Sequence, residues 1–99
     1  KKMEILDMKF AERIGYTDIE QTDYGCIVGR KPDGSIEYIP SPTTTLEHFH
    51  MLLDYMLKKY KELTFTRNED QTTTLHINGK KYNTSDLKKA TLKAFLEGD

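Results

Sequence analysis

The longest regular pattern of apolar and polar residues in the chain runs from residue 43 to residue 63. Its apolar positions recur at alternating intervals of three and four, which places them on one face of a helix. They are Leu46, Phe49, Leu53, Met56, Tyr60 and Leu63. Leu52 and Leu57 widen this stripe, and Thr44-x-x-Glu47 has the spacing of a capping box. The pattern predicts a long central helix that packs on a sheet.

Shorter helical patterns occur near both ends of the chain. Residues 1 to 15 carry apolar side chains at intervals of three and four, and Gly15 is a suitable helix stop. Because two of these apolar residues alternate with polar neighbours, a strand over residues 3 to 10 is an alternative. A final helix is predicted to begin after the N-cap candidates at residues 83–86 and to end near Gly98.

Residues 25 to 40 have the pattern of a two-stranded hairpin. The segment from Lys31 to Ser35 contains Pro and Gly in turn positions and fixes the register of the two strands. The register puts four residues on the face that we assign to the core, namely Cys26, Val28, Ile36 and Tyr38. The opposite face, with Ile27 and Ile39, is half polar. Residues 16 to 24 are predicted to form a polar connector.

Beyond residue 63 the pattern changes from helical to alternating. Three short β-rich runs follow, at residues 64–67, 72–77 and 80–82. Asn78-Gly79 is a strong signal for a two-residue turn, and it places Leu75 opposite Tyr82. These runs therefore predict a three-stranded meander.

Taken together, these patterns predict the α+β class. We expect an antiparallel or mixed sheet, formed by one two-stranded hairpin and a three-stranded meander, packed by the long central helix. The chain has 99 residues, 36% hydrophobic and 31% charged, which is the composition of a globular chain. Since no linker or repeat divides it, residues 1–99 are predicted to form a single α+β domain.

Candidate chemistry is sparse, and no metal site, cofactor or catalytic residue is predicted. His48 and His50 point about 200° apart on a helix, so they cannot share a metal ion. Asp54 lies one turn beyond His50, where a surface pair is the commoner arrangement. Cys26, the only cysteine, falls on the predicted core face and lacks a partner motif. The chain is therefore predicted not to be an enzyme.

A basic segment near the C-terminus supports one alternative function. The net charge of the chain is −1, so no overall field attracts nucleic acid. Residues 80 to 99 nevertheless carry five lysines, Lys80, Lys81, Lys88, Lys89 and Lys93. A small nucleic-acid-binding module that uses these lysines is the alternative hypothesis.

Protein binding is the leading hypothesis, and it rests on the central helix. Met51 and Tyr55 form an i, i+4 pair among charged residues on the side opposite the apolar stripe. A terminal helix that covers this pair is the competing interpretation. Ile27 and Ile39, on the half-polar face of the first hairpin, are further candidates.

We therefore expect a non-catalytic, regulatory or accessory protein. Its predicted partner is another protein or a second copy of itself. No apolar run is long enough to cross a membrane, and the single cysteine favours a cytoplasmic location. A lysine-rich, alanine-poor composition is compatible with a phage or mobile-element origin.

Overall fold

Three helices and two antiparallel sheets make up residues 5–98, which are the residues that the computed structural model describes. The helices are α1 (Ile5–Arg13), α2 (Leu46–Lys59) and α3 (Leu87–Glu97). Sheet A contains β1 (Thr17–Gln21), β2 (Ile27–Arg30) and β3 (Ile36–Tyr38), and sheet B contains β4 (Leu63–Arg67), β5 (Thr73–Ile77) and β6 (Lys80–Thr84). The predicted α+β class, with a long central helix between two shorter ones, is confirmed. The first four residues of the predicted N-terminal helix lie outside the described part.

Helix α2 is shorter than the sequence pattern predicted. Its N-cap is Thr45, whose Oγ1 accepts a hydrogen bond from the backbone N–H of His48 at 3.3 Å. The predicted cap at Thr44 is therefore wrong by one residue. The helix ends at Lys59, and Leu63 belongs to β4 instead.

The main core lies where α2 meets sheet B and the two terminal helices. Its buried members are Phe10, Phe49, Leu52, Met56, Leu75, Ile77, Leu92, Ala94 and Phe95. Most of the predicted stripe of α2 contributes to it, but Leu46 and Leu57 are largely exposed. The stripe is therefore wider than the surface that the rest of the fold covers.

A buried carboxylate joins α1 to the segment before α2. Asp7, an acidic residue in the first turn of α1, has no exposed surface. Its Oδ1 accepts from the backbone N–H of Thr43 at 3.2 Å, and its Oδ2 accepts from Thr43 Oγ1 at 2.8 Å. These hydrogen bonds make burial of the carboxylate possible.

Sheet B is the meander that the sequence predicted. The two-residue turn pairs Ile77 with Lys80 and Leu75 with Tyr82, and β5 is the central strand. Alternate residues of β5 are buried against the helices. The predicted register is confirmed here.

Sheet A has a strand that the sequence analysis missed. The segment predicted as a polar connector contains β1, which pairs with β2 through a register shift between Thr17 and Glu20. Asp18 has a positive φ of 52° at this irregularity. Only Ile19 of β1 is partly buried, so the strand has no apolar alternation that a sequence pattern could reveal.

The predicted orientation of the first hairpin is wrong, although its register is right. Val28 pairs with Tyr38 and Arg30 with Ile36, as predicted. However, Ile36 and Tyr38 are exposed, whereas Ile39 is only 3% exposed. The inward face is therefore the one that carries Ile39, and the face assigned to the core is turned outward.

Gly29 explains why the face of sheet A that carries Ile39 is the buried one. A Cβ at this position would lie 3.1 Å from Ile19 Cγ1, 3.1 Å from a Tyr16 ring carbon and 3.3 Å from Ile39 Cγ2. Because glycine has no side chain, these three residues can close over the backbone of β2.

We expect Gly29→Val to destabilise the protein by about 1–3 kcal/mol, since the added side chain overpacks this small cluster. Urea denaturation followed by circular dichroism measures the loss. A second glycine, Gly34, is unsuitable as a control because its φ of +91° strains any residue with a side chain. Thr17→Val in the neighbouring strand is the control instead. Equal stability of Gly29→Val and wild type would contradict the close packing.

Candidate protein-binding site

The outward face of sheet A forms a wide apolar groove. The groove has a volume of about 1020 Å³. Its lining includes Tyr24, Cys26, Val28, Ile36, Tyr38 and His48. Tyr24 is 95% exposed and Tyr38 70% exposed, so two aromatic side chains lie largely in solvent. Contiguous apolar surface of this kind marks interaction sites, whereas single exposed apolar residues are ordinary.

The strands hold this apolar surface in a fixed arrangement. Val28 lies at the centre, paired with Tyr38 on one side and with Glu20 on the other. Ile36 is one pair further along and faces Arg30. Side chains at such positions share one face of a sheet because the pleat has a period of two residues. A rigid sheet therefore presents the apolar groups without loss of backbone freedom on binding.

His48, at the start of α2, borders the groove with a polar group. Its Nδ1 accepts a hydrogen bond from the backbone N–H of Ser41 at 2.9 Å. A ring nitrogen that accepts carries no proton, so the proton of the neutral ring is on Nε2. The imidazole therefore offers a donor to a ligand in the groove.

A second cavity adjoins the first and reaches the residues predicted on α2. It has a volume of about 330 Å³ and shares Glu37, Tyr38 and His48 with the groove. Met51 and Tyr55 line its far side. The structure thus brings the predicted Met51–Tyr55 pair to the end of one continuous surface with the apolar face of sheet A.

The terminal helices nevertheless cover part of this pair. The Tyr55 ring packs against Phe10 at a centroid distance of 6.0 Å and against Phe95 at 6.5 Å. Met51 is partly buried against the core. Part of each side chain is therefore structural, and only the remainder faces the cavity.

Two other predicted interaction residues are not on the exposed face. Ile39 is buried beneath sheet A, and Ile27 is partly buried on the same inward face. Their exposure was inferred from the wrong orientation of the hairpin. The surface available to a partner is therefore the face that carries Ile36 and Tyr38.

Acidic groups predominate around the groove. Two carboxylates, Asp23 and Glu37, line the groove itself, and two cations, Arg30 and Lys31, lie at the end of β2 beside it. Both cations already have acidic neighbours, since Arg30 Nε lies 3.3 Å from Asp18 Oδ2 and Lys31 Nζ lies 3.4 Å from Glu37 Oε2. The carboxylate of Glu37 raises the pKa of Lys31. The groove therefore favours a ligand that carries positive charge.

Tyr16 supplies a neutral hydroxyl at the second cavity. Burial raises the pKa of its phenol, and the cation of Lys31 opposes this only in part. The hydroxyl is therefore protonated at neutral pH and is able to donate a hydrogen bond.

Four of the five C-terminal lysines, Lys80, Lys88, Lys89 and Lys93, are spread over separate surfaces. Lys80 lies by the C-terminal end of α3, while Lys88 and Lys89 are in its first turn. The rise of a helix separates these two ends by about 12 Å. Lys93 lines another cavity, together with Glu12 and other residues of α1 and α3. The lysines therefore do not converge on one basic patch.

The remaining chemical candidates gain nothing from the structure. Within residues 5–98, no group of three or more His, Cys, Asp or Glu side chains is arranged to hold a metal ion. Cys26 is exposed, so its predicted burial is wrong. Over the same residues, no helix has the length and apolar character needed to cross a membrane.

Sequence reasoning found four of the groove residues, Cys26, Val28, Ile36 and Tyr38, but placed them in the core. Both faces of the hairpin carry apolar residues, so alternation alone did not distinguish them. Gly29 was the available signal, because a glycine inside a strand often marks a close approach of neighbouring groups. The role of His48 had no sequence signal, since it depends on contact with Ser41.

Comparison of the chain with protein-family models, with curated proteins and with solved structures finds no match in any of the three. The fold and the groove define the class of protein: an α+β chain with two antiparallel three-stranded sheets. Its function must therefore be argued from the site itself.

Proposed function

We propose that the protein is a non-catalytic accessory protein that binds a partner protein through the outward face of sheet A. The observation that carries this proposal is the cluster of exposed apolar side chains in the groove, which includes Tyr24, Ile36 and Tyr38. Tyrosine is enriched among the residues that dominate binding energy at protein interfaces. A regulatory role, and the cytoplasmic location expected from the sequence, are part of the same proposal.

The charges around the groove indicate the chemistry of the partner. Asp23 and Glu37 line the groove, and Glu20 lies beside Val28 in the sheet. An apolar segment that also carries lysine or arginine satisfies both the apolar centre and the acidic surroundings. His48 lines the groove, and we propose that its Nε2–H donates to a carbonyl group of such a segment.

A displayed library of random peptides tests this proposal, because selection from a library requires no candidate partner. Selection on the immobilised protein is expected to enrich peptides that combine apolar and basic residues. Ile36→Glu is expected to weaken the binding of the selected peptides by at least tenfold, because it puts a charge into the apolar centre. Fluorescence anisotropy of a labelled peptide measures the change.

Leu57→Glu is the matched control for this experiment. Ile36 is 61% exposed and Leu57 is 62% exposed, but Leu57 lies on α2, away from the groove. The two changes therefore add the same charge at equal exposure, and only the first is expected to affect the peptides. The proposal fails if no peptides are enriched, or if both variants bind the enriched peptides equally well.

Nucleic-acid binding through the lysines stays a prediction, and the spread of the lysines gives it no added support. Binding to phosphate groups strengthens as the salt concentration falls. We expect a filter-binding assay with single- and double-stranded DNA and RNA to show no retention even at low salt. Retention that is lost in Lys88→Glu/Lys89→Glu would favour this alternative instead.

A further inference from the structure

Four of the described strands lie at the edges of the two sheets, and β4 is the one among them with the weakest protection against pairing with another chain. Edge strands are usually protected by charges, prolines, irregular pairing or short length. In β1 the pairing is irregular, β3 has three residues and is followed within two residues by Pro40, and β6 begins with Lys80 and Lys81. Strand β4 has five residues, pairs without interruption and has no charge before Arg67.

The backbone of β4 presents its free hydrogen-bonding groups at alternate residues. Asn78 N–H donates to Glu62 O at 3.1 Å, and Asn68 N–H donates to Thr72 O at 2.9 Å. The backbone groups of Glu62 and Asn68, on either side of β4, therefore point toward the β5 side. Because hydrogen-bonded residues alternate along an antiparallel pair of strands, the backbone groups of Thr64 and Thr66 also point toward β5. The N–H and C=O groups that point away from the sheet are therefore those of residues 63, 65 and 67.

The two ends of this edge are held in place by side chains. Glu62 Oε1 accepts from Gly79 N–H at 3.0 Å, and Asn78 Oδ1 accepts from Glu62 N–H at 3.1 Å. At the other end, Asn68 Nδ2 donates to the hydroxyl groups of Thr72 and Thr74, each at 2.9 Å. The strand is thus fixed in an extended form before any partner binds, which lowers the entropic cost of pairing.

Helix geometry puts the exposed leucines of α2 on the flank opposite the one that contacts α3. Helix α3 contacts β6, which is the edge of sheet B opposite β4. Tyr55 of α2 packs on Phe95 of α3, so the flank of α2 that carries Tyr55 faces away from β4. Leu57 follows two residues later and points about 200° away, toward the β4 side. Leu57 and Leu46 are 62% and 63% exposed, and Phe65 of β4 is 39% exposed.

We infer that two copies of the chain pair through β4, antiparallel and centred on Phe65, to form a continuous six-stranded sheet. In this register Phe65 opposes Phe65 of the second copy, and Leu63 opposes Arg67, so every outward backbone group finds its complement. Thr64 opposes Thr66, which is a favourable cross-strand pair. Lys61 and Glu69, which flank the strand, come together with opposite charges at both ends. The exposed leucines of α2 add the apolar area that a strand pair alone lacks.

Sedimentation equilibrium tests the association. The wild type is expected to behave as a dimer of twice 11.5 kDa that dissociates on dilution. Leu57→Glu is expected to weaken the dimer at least tenfold, because it brings two like charges to the α2 flank. Ile36→Glu, with the same charge and exposure on sheet A, is expected to leave the dimer unchanged. A wild-type chain that stays monomeric at all concentrations overturns the inference.

Cysteine cross-linking tests the register independently of the stability of any one variant. In a Cys26→Ser background, Thr64→Cys and Thr66→Cys are oxidised separately and as an equimolar mixture. Opposed positions that do not exchange hydrogen bonds have Cα atoms about 4.5 Å apart, within the range of a disulfide. Only the mixture is expected to give a disulfide-linked dimer, because residue 64 opposes residue 66 and not itself. No link in the mixture, or equal links in the separate samples, overturns the register.

The two proposals are separable by these variants. Peptide binding is expected to fail in Ile36→Glu and the dimer in Leu57→Glu. If Ile36→Glu keeps peptide binding, the binding surface has been wrongly assigned, and if Leu57→Glu keeps the dimer, the dimer surface has been wrongly assigned.

Discussion

Replacing Phe10 with alanine is expected to lower the free energy of unfolding by about 3–5 kcal/mol. The ring has no exposed surface and packs edge-on against Tyr55 and Phe95, with centroid distances of 6.0 Å and 5.8 Å. Its removal leaves a cavity where α1, α2 and α3 meet and also ends two aromatic contacts. Since small domains are stable by only about 5–15 kcal/mol, this is a large share of the total. Urea denaturation followed by circular dichroism measures it.

Tyr24→Ala is the control for this change, because Tyr24 is an aromatic residue that lies almost wholly in solvent. It is expected to change stability by less than about 0.5 kcal/mol. A loss below about 1 kcal/mol in Phe10→Ala would mean that the three helices do not meet at this ring. Since Tyr55 borders the second cavity, Phe10→Ala is also expected to loosen that end of the candidate site.

Replacing Asp7 with alanine is expected to cost about 2–4 kcal/mol, because the partly buried N–H and hydroxyl of Thr43 lose their acceptors. The carboxylate connects α1 to the segment that leads into α2, so the loss is also expected to increase hydrogen exchange at residues 41–45. Urea denaturation and exchange followed by mass spectrometry measure the two effects.

Asp7→Asn and Glu12→Ala separate the hydrogen bonds from the general effect of a substitution in α1. The amide of asparagine keeps one acceptor in the same place, so Asp7→Asn is expected to lose less than Asp7→Ala. Glu12 is exposed on the same helix, and its removal is expected to be nearly neutral. A double-mutant cycle with Thr43→Val is expected to show coupling; strictly additive losses would contradict the side-chain bond.

Local signals determined the elements and the registers that depend on turns. The Asn78-Gly79 turn predicted the pairing of β5 with β6, and the turn between Lys31 and Ser35 predicted that of β2 with β3. These predictions succeed because a short turn fixes which residues oppose each other, whatever the rest of the chain does. Helix α2 was also predictable from local sequence, because apolar residues at helical spacing over several turns do not fit a strand.

Tertiary packing decided which side of each element is buried. The two faces of sheet A are similarly apolar, and the inward one was selected because Gly29 lets Ile19 and Ile39 approach. In the same way, Asp7 looked like a surface residue until Thr43, far along the chain, supplied its hydrogen bonds. The periodicity of a sequence does not predict such contacts, because it describes residues that are near each other in the chain, whereas these contacts join residues that are far apart in it.

The candidate site shows the same division between sequence and tertiary structure. The sequence by itself determined an α+β chain with a long central helix, two turn-defined hairpins and no recognisable catalytic motif. Only the tertiary structure turned Ile36 and Tyr38 outward, set His48 beside them and left β4 as an edge. The physical reason is that periodicity shows only which residues share a face of a helix or strand. Whether that face is exposed depends on the elements that cover it, and therefore on packing and strand order.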